Sequence, residues 1–233
     1  MTSRPNLHTH TLHSDGDFTV EEVVRAAARA GLTHVAITDH FETSKVAHPL
    51  RRASLERYIE EVRAVGRAYE GRVEVLAGVE IDTNPERCAL SELPLALLNR
   101  LDLVLFEYVE DPLQGGVPLS ELRPLCEALT VPFGLCHWDM DRIFRGRRPE
   151  WLADRLSALG AFVEVSTSQH YARDGRFLYE HSERFYRAFA GKVRVSIGTD
   201  THHALEEVGN IGRGMEFLRA NGLCGQLLFN GQG

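Results

Sequence analysis

Short runs of apolar and β-branched residues alternate along this chain with segments whose apolar positions recur every three to four residues. The clearest helical segment is "TVEEVVRAAARAG", residues 19–31. Val20, Val23, Val24, Ala27 and Ala30 fall on one face of it. Thr19 is placed to cap this helix, Glu22 to complete a capping box, and Gly31 to end it. A second helix is predicted over about residues 54–69, and others over roughly 91–99, 119–129, 149–159, 177–190 and 204–221. Between them run "THVAITDH", "VEVLAGVEI", "LDLVLFEYV", "VPFGLCH", "AFVEVSTS" and "VRVSIGTDTH". With "NLHTH" near the start, that makes seven strands. Apolar strands separated by helices indicate a parallel sheet covered on both faces. No Pro/Gly/Ser-rich linker interrupts the alternation, so residues 1–233 are expected to form one α/β domain. A closed barrel and a doubly wound open sheet both satisfy the pattern.

Polar residues break into the apolar runs at regular places. His8 and His10 end the first strand, and Asp39 and His40 the second. Glu80 ends the third, Glu107 the fourth and His137 the fifth. Glu164 and Ser166 lie late in the sixth, and Asp200 and His202 close the last. In a β/α barrel these strand ends share one face, where active sites are built. Imidazole nitrogens and carboxylate oxygens suit borderline and hard divalent ions. His8 and His10 are two apart on a strand, so they point to one side and can chelate one ion. The stretch "NLHTHTLHSDGDF", residues 6–18, is therefore expected to open a metal site.

Composition narrows the partners. The chain is 43% hydrophobic and 25% charged, and its formal charge of −7 argues against a general nucleic-acid binder. Arginines cluster only at "RIFRGRR", residues 142–148, a local anion site at most. No run approaches the eighteen or so apolar residues of a membrane span, and no apolar signal core opens the chain. Cys88, Cys126, Cys136 and Cys224 are scattered and form no CxxC pair. They read as reduced thiols of a cytoplasmic protein, which leaves histidine, with eleven copies, as the metal-ligating residue.

Five stretches, "HTHTLHSDG", "AITDH", "GVEI", "GLCHWD" and "IGTDTH", resemble the PHP (polymerase and histidinol phosphatase) family of metal-dependent phosphoesterases. They come in the family's order and span nearly the whole chain. The resemblance implies a single distorted (β/α)7 barrel with two to three divalent ions (zinc, manganese or iron) at its C-terminal mouth. It implies that His8 and His10 share one ion with Asp200, and that Glu80 bridges two ions. His137 then holds the second ion, and Asp15, His40 and His202 serve a third. The pattern departs at the fourth strand, where Val109 stands near the usual place of a histidine. Glu107 is expected to replace that ligand. An acid between Phe106 and Tyr108 is costly to bury unpaired, so a metal or an arginine should sit beside it. Leu103 and Leu105 would then line the barrel interior, with Val104, Phe106 and Tyr108 facing the helices.

The implied activity is hydrolysis of a small-molecule phosphomonoester by a metal-activated water, with histidinol phosphate the first substrate to consider. Asp15, His40 and Asp200 are the expected catalytic residues. Arg142 and Arg173 are expected to bind the substrate phosphate. Asp39 is expected to orient His40, and Trp138 to pack or form a pocket wall. His13, His34, His48, His181 and His203 read as structural or surface residues, while His170 follows the sixth strand on the catalytic face. The alternatives are a nuclease or nucleotide phosphoesterase of the same family and a metal-binding module without turnover.

Overall fold

Seven parallel strands follow one another in chain order through a computed structural model that describes residues 3–230. They are β1 (Pro5–Asn6), β2 (His34–Ile37), β3 (Glu74–Asp82), β4 (Leu103–Glu107), β5 (Phe133–Leu135), β6 (Phe162–Ser166) and β9 (Val195–Gly198). A two-stranded hairpin, β7 (Ala172–Arg173) with β8 (Arg176–Phe177), is inserted after β6. The first and last barrel strands also meet. Leu7 N–H donates to Ile197 O (2.7 Å), Asp200 N–H to His8 O (2.9 Å) and His10 N–H to Thr201 O (2.9 Å). These bonds bridge the seam of a nearly closed barrel and decide against an open doubly wound sheet.

The apolar residues divide into two clusters, as the strand period requires. Leu7, Ala36, Leu76, Leu103, Leu105, Cys136, Phe162 and Leu228 fill the barrel interior. Val35, Ile37, Val79, Ile81, Val104, Phe106, Val163, Val165 and Ile197 face outward and pack with the helices in the larger cluster. Each fully buried Leu or Phe contributes about 1.5–3 kcal/mol. Leu103, Leu105, Val104 and Phe106 therefore lie on the expected faces. Tyr108 does not. It follows the end of β4 with φ +65°, which turns its side chain out of the strand alternation and into the mouth.

The predicted helices form with several differences. α1 (Val20–Arg29) carries the expected capping box between Thr19 and Glu22, and Gly31 follows with φ +67°. α2 (Arg52–Ala68) starts two residues earlier than expected, with no side-chain cap. The helix expected at 91–99 is a 3₁₀ turn (Leu90–Glu92) and the four-residue α3 (Leu95–Leu98), because Pro94 interrupts it. α4 (Leu119–Ala128), a short α5 (Met140–Ile143) absent from the sequence reading, and α6 (Pro149–Leu159) come next. The segment 177–190 splits at Ser182 into α7 (Leu178–His181) and α8 (Glu183–Phe189). The last segment divides likewise into a 3₁₀ turn (Leu205–Gly209) and α9 (Gly212–Ala220). No helix among the described residues is long and apolar enough to cross a membrane.

Candidate metal centre

His8, His10, Glu80, Glu107, His137 and Asp200 are buried at the C-terminal ends of the strands, where backbone geometry aims them inward. His8 Nε2 and His10 Nε2 lie 3.0 Å apart. Both face Asp200 Oδ1, at 3.3 and 3.1 Å, and Glu80 Oε2, at 3.5 and 3.4 Å. Glu80 reaches onward: its Oε1 lies 2.8 Å from His137 Nε2, and its Oε2 lies 3.0 Å from His40 Nδ1. A second group gathers on the outer side, where Asp15 lies 3.4–3.8 Å from His10, His40 and His202. The His10 and His202 rings stack at 4.0 Å. Glu107 stands 3.7 Å from His40 Nδ1 and 3.8 Å from His137 Nε2. His137 (φ +32°) and Asp200 (φ +51°) hold left-handed backbone just past their strands. Such conformations cost of order 1–3 kcal/mol and mark places where surrounding structure fixes a side chain's aim.

All nine residues expected to hold metal therefore converge, and their ligand atoms form four overlapping groups. The donor set fits divalent ions on a further observation. His10 Nδ1, His40 Nδ1, Glu80 Oε2 and Glu107 Oε1 are buried and make no hydrogen bond. An unsatisfied buried polar atom costs about 1–3 kcal/mol, more when charged, so the trio at His40, Glu80 and Glu107 and the His10 atom facing Asp15 call for positive charge at both places. Cys136 Sγ adds itself to this inner group, 3.0 Å from Glu80 Oε1. Burial raises its thiol pKa, and Glu80 raises it further.

The titration behaviour follows the geometry. Burial opposes charge on His8, but Glu164, Glu80 and Asp200 outweigh it and raise the imidazole's pKa well above its ordinary value. Burial lowers His10 to about 3, with His202 and His40 adding to the effect, so its lone pair is free. Burial also works against the Glu80 carboxylate, yet His8 and His40 keep it ionised. Glu107 differs: burial and the neighbouring Glu80 raise its pKa, while Lys45 pulls it back.

Several residues around the ligands have roles that the sequence did not assign. Glu164 Oε1 accepts from His8 Nδ1 (2.8 Å), and its Oε2 accepts from His137 N–H (2.7 Å). It thereby orients the ligand ring, as carboxylates behind metal-bound histidines do. Gly198 makes room for it; a Cβ there would overlap Glu164 and stand 2.4 Å from His8 Cβ. The side-chain cation beside Glu107 is not the expected arginine but Lys45, whose Nζ lies 2.7 Å from Oε2. Tyr171, in the turn before the hairpin, stacks on His137 at 4.2 Å. Asp39 makes no bond to His40 among the described residues. It accepts from Thr11 N–H, Thr11 Oγ1 and Ser14 Oγ (2.7–2.8 Å), fixing the turn that carries Asp15.

The centre opens into a cavity of about 560 Å³ that Asp15, His40, Glu80, Asp200, His202 and the exposed His170 help to line. Arg142 and Arg173 border a smaller one of about 240 Å³ on the far side of Tyr108 and Tyr171. Both are paired with acids: Arg142 with Asp111 (2.5 Å) and Asp139 (3.4 Å), Arg173 with Asp139 (2.9 Å) and Asp141 (3.7 Å). Trp138 is buried and donates to Val109 O (2.6 Å), a packing role. His13 faces Glu61, His34 faces Glu74 and His181 faces Arg173 O, while His203 pairs with Asp17 at the rim of the cavity beside His202. His48 is exposed.

Fold and site together define a (β/α)7-barrel protein with a cluster of His, Asp and Glu side chains able to hold metal at its C-terminal mouth. Family comparison agrees. The chain belongs to the PHP domain family, whose model matches residues 6–131. A protein described as a probable phosphatase from Caldanaerobacter subterraneus is 26% identical over 239 residues, covering 97% of this chain and 86% of that protein. The DNA polymerase/3'-5' exonuclease PolX of Bacillus subtilis is 36% identical over 81 residues. That match spans 35% of this chain and only 14% of PolX. The crystal structure of histidinol phosphate phosphatase from Lactococcus lactis, in complex with zinc, L-histidinol and phosphate, superposes with a TM-score of 0.62 at 15% identity. It covers 95% of this chain and 94% of that one, a likeness of fold.

Proposed function

We propose that this chain is a metal-dependent phosphoesterase that hydrolyses phosphomonoesters of small molecules. The observation that carries the reading is the overlap of four groups of His, Asp and Glu ligand atoms at the barrel mouth, with His40 Nδ1, Glu80 Oε2 and Glu107 Oε1 left unbonded within one of them. His8, His10, Glu80 and Asp200 would hold one ion, His137 with Glu80 and Glu107 a second, and Asp15, His40 and His202 a third, with zinc, manganese or iron suiting these donors. Bound there, the ions supply the charge that activates a water and stabilises the phosphoryl oxygens.

The chain's own residues do the rest. Glu164 fixes the His8 ring, and the Tyr171 stack fixes His137. Asp15 remains ionised although burial disfavours it, because His202, His40 and His10 surround it. It therefore stays a carboxylate suited to holding a cation and does not donate a proton. His40 and Asp200 complete the reacting face of the cavity. Arg142 and Arg173 are assigned an anionic part of the substrate at the adjoining cavity, their charges shared with the neighbouring aspartates. Histidinol phosphate is the first substrate to test, because the Lactococcus lactis enzyme of the same fold holds L-histidinol and phosphate and the near-full-length relative is described as a phosphatase. A cytoplasmic setting suits the free cysteines.

The test is turnover across histidinol phosphate, sugar phosphates, nucleotides and short oligonucleotides with added Mn²⁺ or Zn²⁺. Small monoesters are expected to exceed oligonucleotides in kcat/KM, and chelation to abolish turnover until metal returns. His10→Ala and Asp200→Ala are expected to lose activity by orders of magnitude. Full activity in metal-stripped protein would end the reading; faster cleavage of oligonucleotides would replace it with a nuclease.

A further inference from the structure

The chain has only two lysines, Lys45 and Lys192, among 26 basic residues. One of them stands at the mouth of the metal centre. Lys45 comes from the irregular loop between β2 and α2, and its Nζ donates to Glu107 Oε2 at 2.7 Å. The ammonium also lies 5.0 Å from the centre of the Tyr108 ring, close enough for a cation–π contact. The side chain is 23% exposed, and it borders the same cavity as Asp15, His40, Glu80 and Asp200.

These contacts leave the ammonium unevenly used. It carries three protons, of which one is bonded to Glu107 and a second serves the Tyr108 hydroxyl, which leaves one for a ligand. By contrast, Arg142 and Arg173 each meet two carboxylates. Among the described residues that line the main cavity, Lys45 is the one cation besides imidazole. The same cavity presents the carboxylates of Asp15, Glu80, Asp200 and Glu207. A phosphate dianion entering it meets those negative charges, and a fixed ammonium at the wall offsets part of the repulsion. Lysine suits the task because a compact point charge on a flexible stem binds a phosphoryl oxygen without demanding a planar, two-pronged partner.

We propose that Lys45 is a substrate-binding residue whose ammonium holds a phosphoryl oxygen in the main cavity, with Glu107 and Tyr108 fixing its position. The proposal rests on the phosphoesterase reading above. It differs from a counter-ion that merely neutralises Glu107, whose removal would leave phosphate affinity unchanged while metal is retained.

The experiment measures metal content, thermal unfolding and the affinity of inorganic phosphate for metal-loaded protein, by titration calorimetry, in the wild type and in variants at this position. Lys45→Met removes the charge, Lys45→Gln removes it but keeps a hydrogen-bond donor for Glu107, and Lys45→Arg keeps the charge. Lys45→Met and Lys45→Gln are expected to keep their metal and weaken phosphate binding roughly 10–100-fold, the usual size of one lost charged hydrogen bond. Lys45→Arg is expected to recover most of that loss. KM for a phosphomonoester should rise in step with the phosphate dissociation constant. If Lys45→Met does not fold, Lys45→Gln carries the test. Wild-type phosphate affinity in a folded, metal-loaded Lys45→Gln protein would overturn the proposal. So would a loss of metal that accounts for all the lost phosphate. A wild-type protein that binds neither metal nor phosphate would overturn the phosphoesterase reading instead, a result readable without any variant.

Discussion

Glu107 and Glu164 are both buried acids at strand ends, yet their partners give them different work. Glu164 directs one oxygen to His8 and the other to the His137 backbone, and it joins none of the ligand groups. Glu107 spends one on Lys45 and keeps Oε1 unbonded and facing His40. Glu164→Ala is therefore expected to lower the affinity of the His8 ion about 10–100-fold without removing a ligand. Glu107→Gln is expected to lower the occupancy of one ion and to reduce turnover more than the melting temperature. Metal analysis beside a thermal melt checks both; unchanged stoichiometry and kcat in Glu107→Gln would make Glu107 structural. The expected ligands were legible because each sits at the end of an apolar run, where chain order alone puts it on the barrel's mouth. Lys45 and Tyr171 were not, because both come from irregular segments without a period to follow. Glu164 was visible as a late acid in β6, but its partner His8 lies 156 residues away.

At the level of elements, local signals and close packing separate cleanly. α1 is set by its own sequence: Thr19 and Glu22 cap it, and Val20, Val23, Val24 and Ala27 are buried. Thr19→Ala should cost about 1 kcal/mol of stability and leave metal content unchanged, since the cap lies on the surface. β9 shows the opposite case. Gly198 sits where a side chain would collide with both Glu164 and His8, so Gly198→Ala is expected to disturb the pair and lose metal while the barrel persists by circular dichroism. Normal metal binding in that variant would mean that the strand shifts to accommodate a methyl group. The seven strands and α1, α4 and α6 were readable from periodicity. The segments at 91–99, 177–190 and 204–221 were each read as one helix, because apolar spacing runs on across the breaks. What divides them is Pro94 in the first and turns at Ser182 and Asn210 in the others.

Across the whole molecule, metal binding and folding are linked, because the ligands come from all parts of the chain and meet only in the closed barrel. Ions that bind the native state alone stabilise it by RT ln(1 + [L]/Kd). The size of that gain depends on pH through His8 and His40, whose pKa values are also raised, and through His202. Burial disfavours its charged form, but Asp15 and Asp200 prevail, and its pKa rises to about 9. The unfolded chain has an ordinary histidine value of about 6.5. In metal-free protein the imidazolium's contribution to stability is thus complete below about 6.5 and is lost as pH rises through about 9. To coordinate, the ring must give up that proton, so metal competes with protons over the same interval. Both effects point one way. The rise in melting temperature caused by a fixed Mn²⁺ concentration is expected to grow from pH 6.5 to pH 9. His10, already neutral above about 3, adds nothing in this window. Calorimetry in buffers of different ionisation enthalpy should register proton release on metal addition at pH 7. A metal-induced shift that shrinks with rising pH would mean that His202 keeps its proton in the loaded centre and is not a ligand.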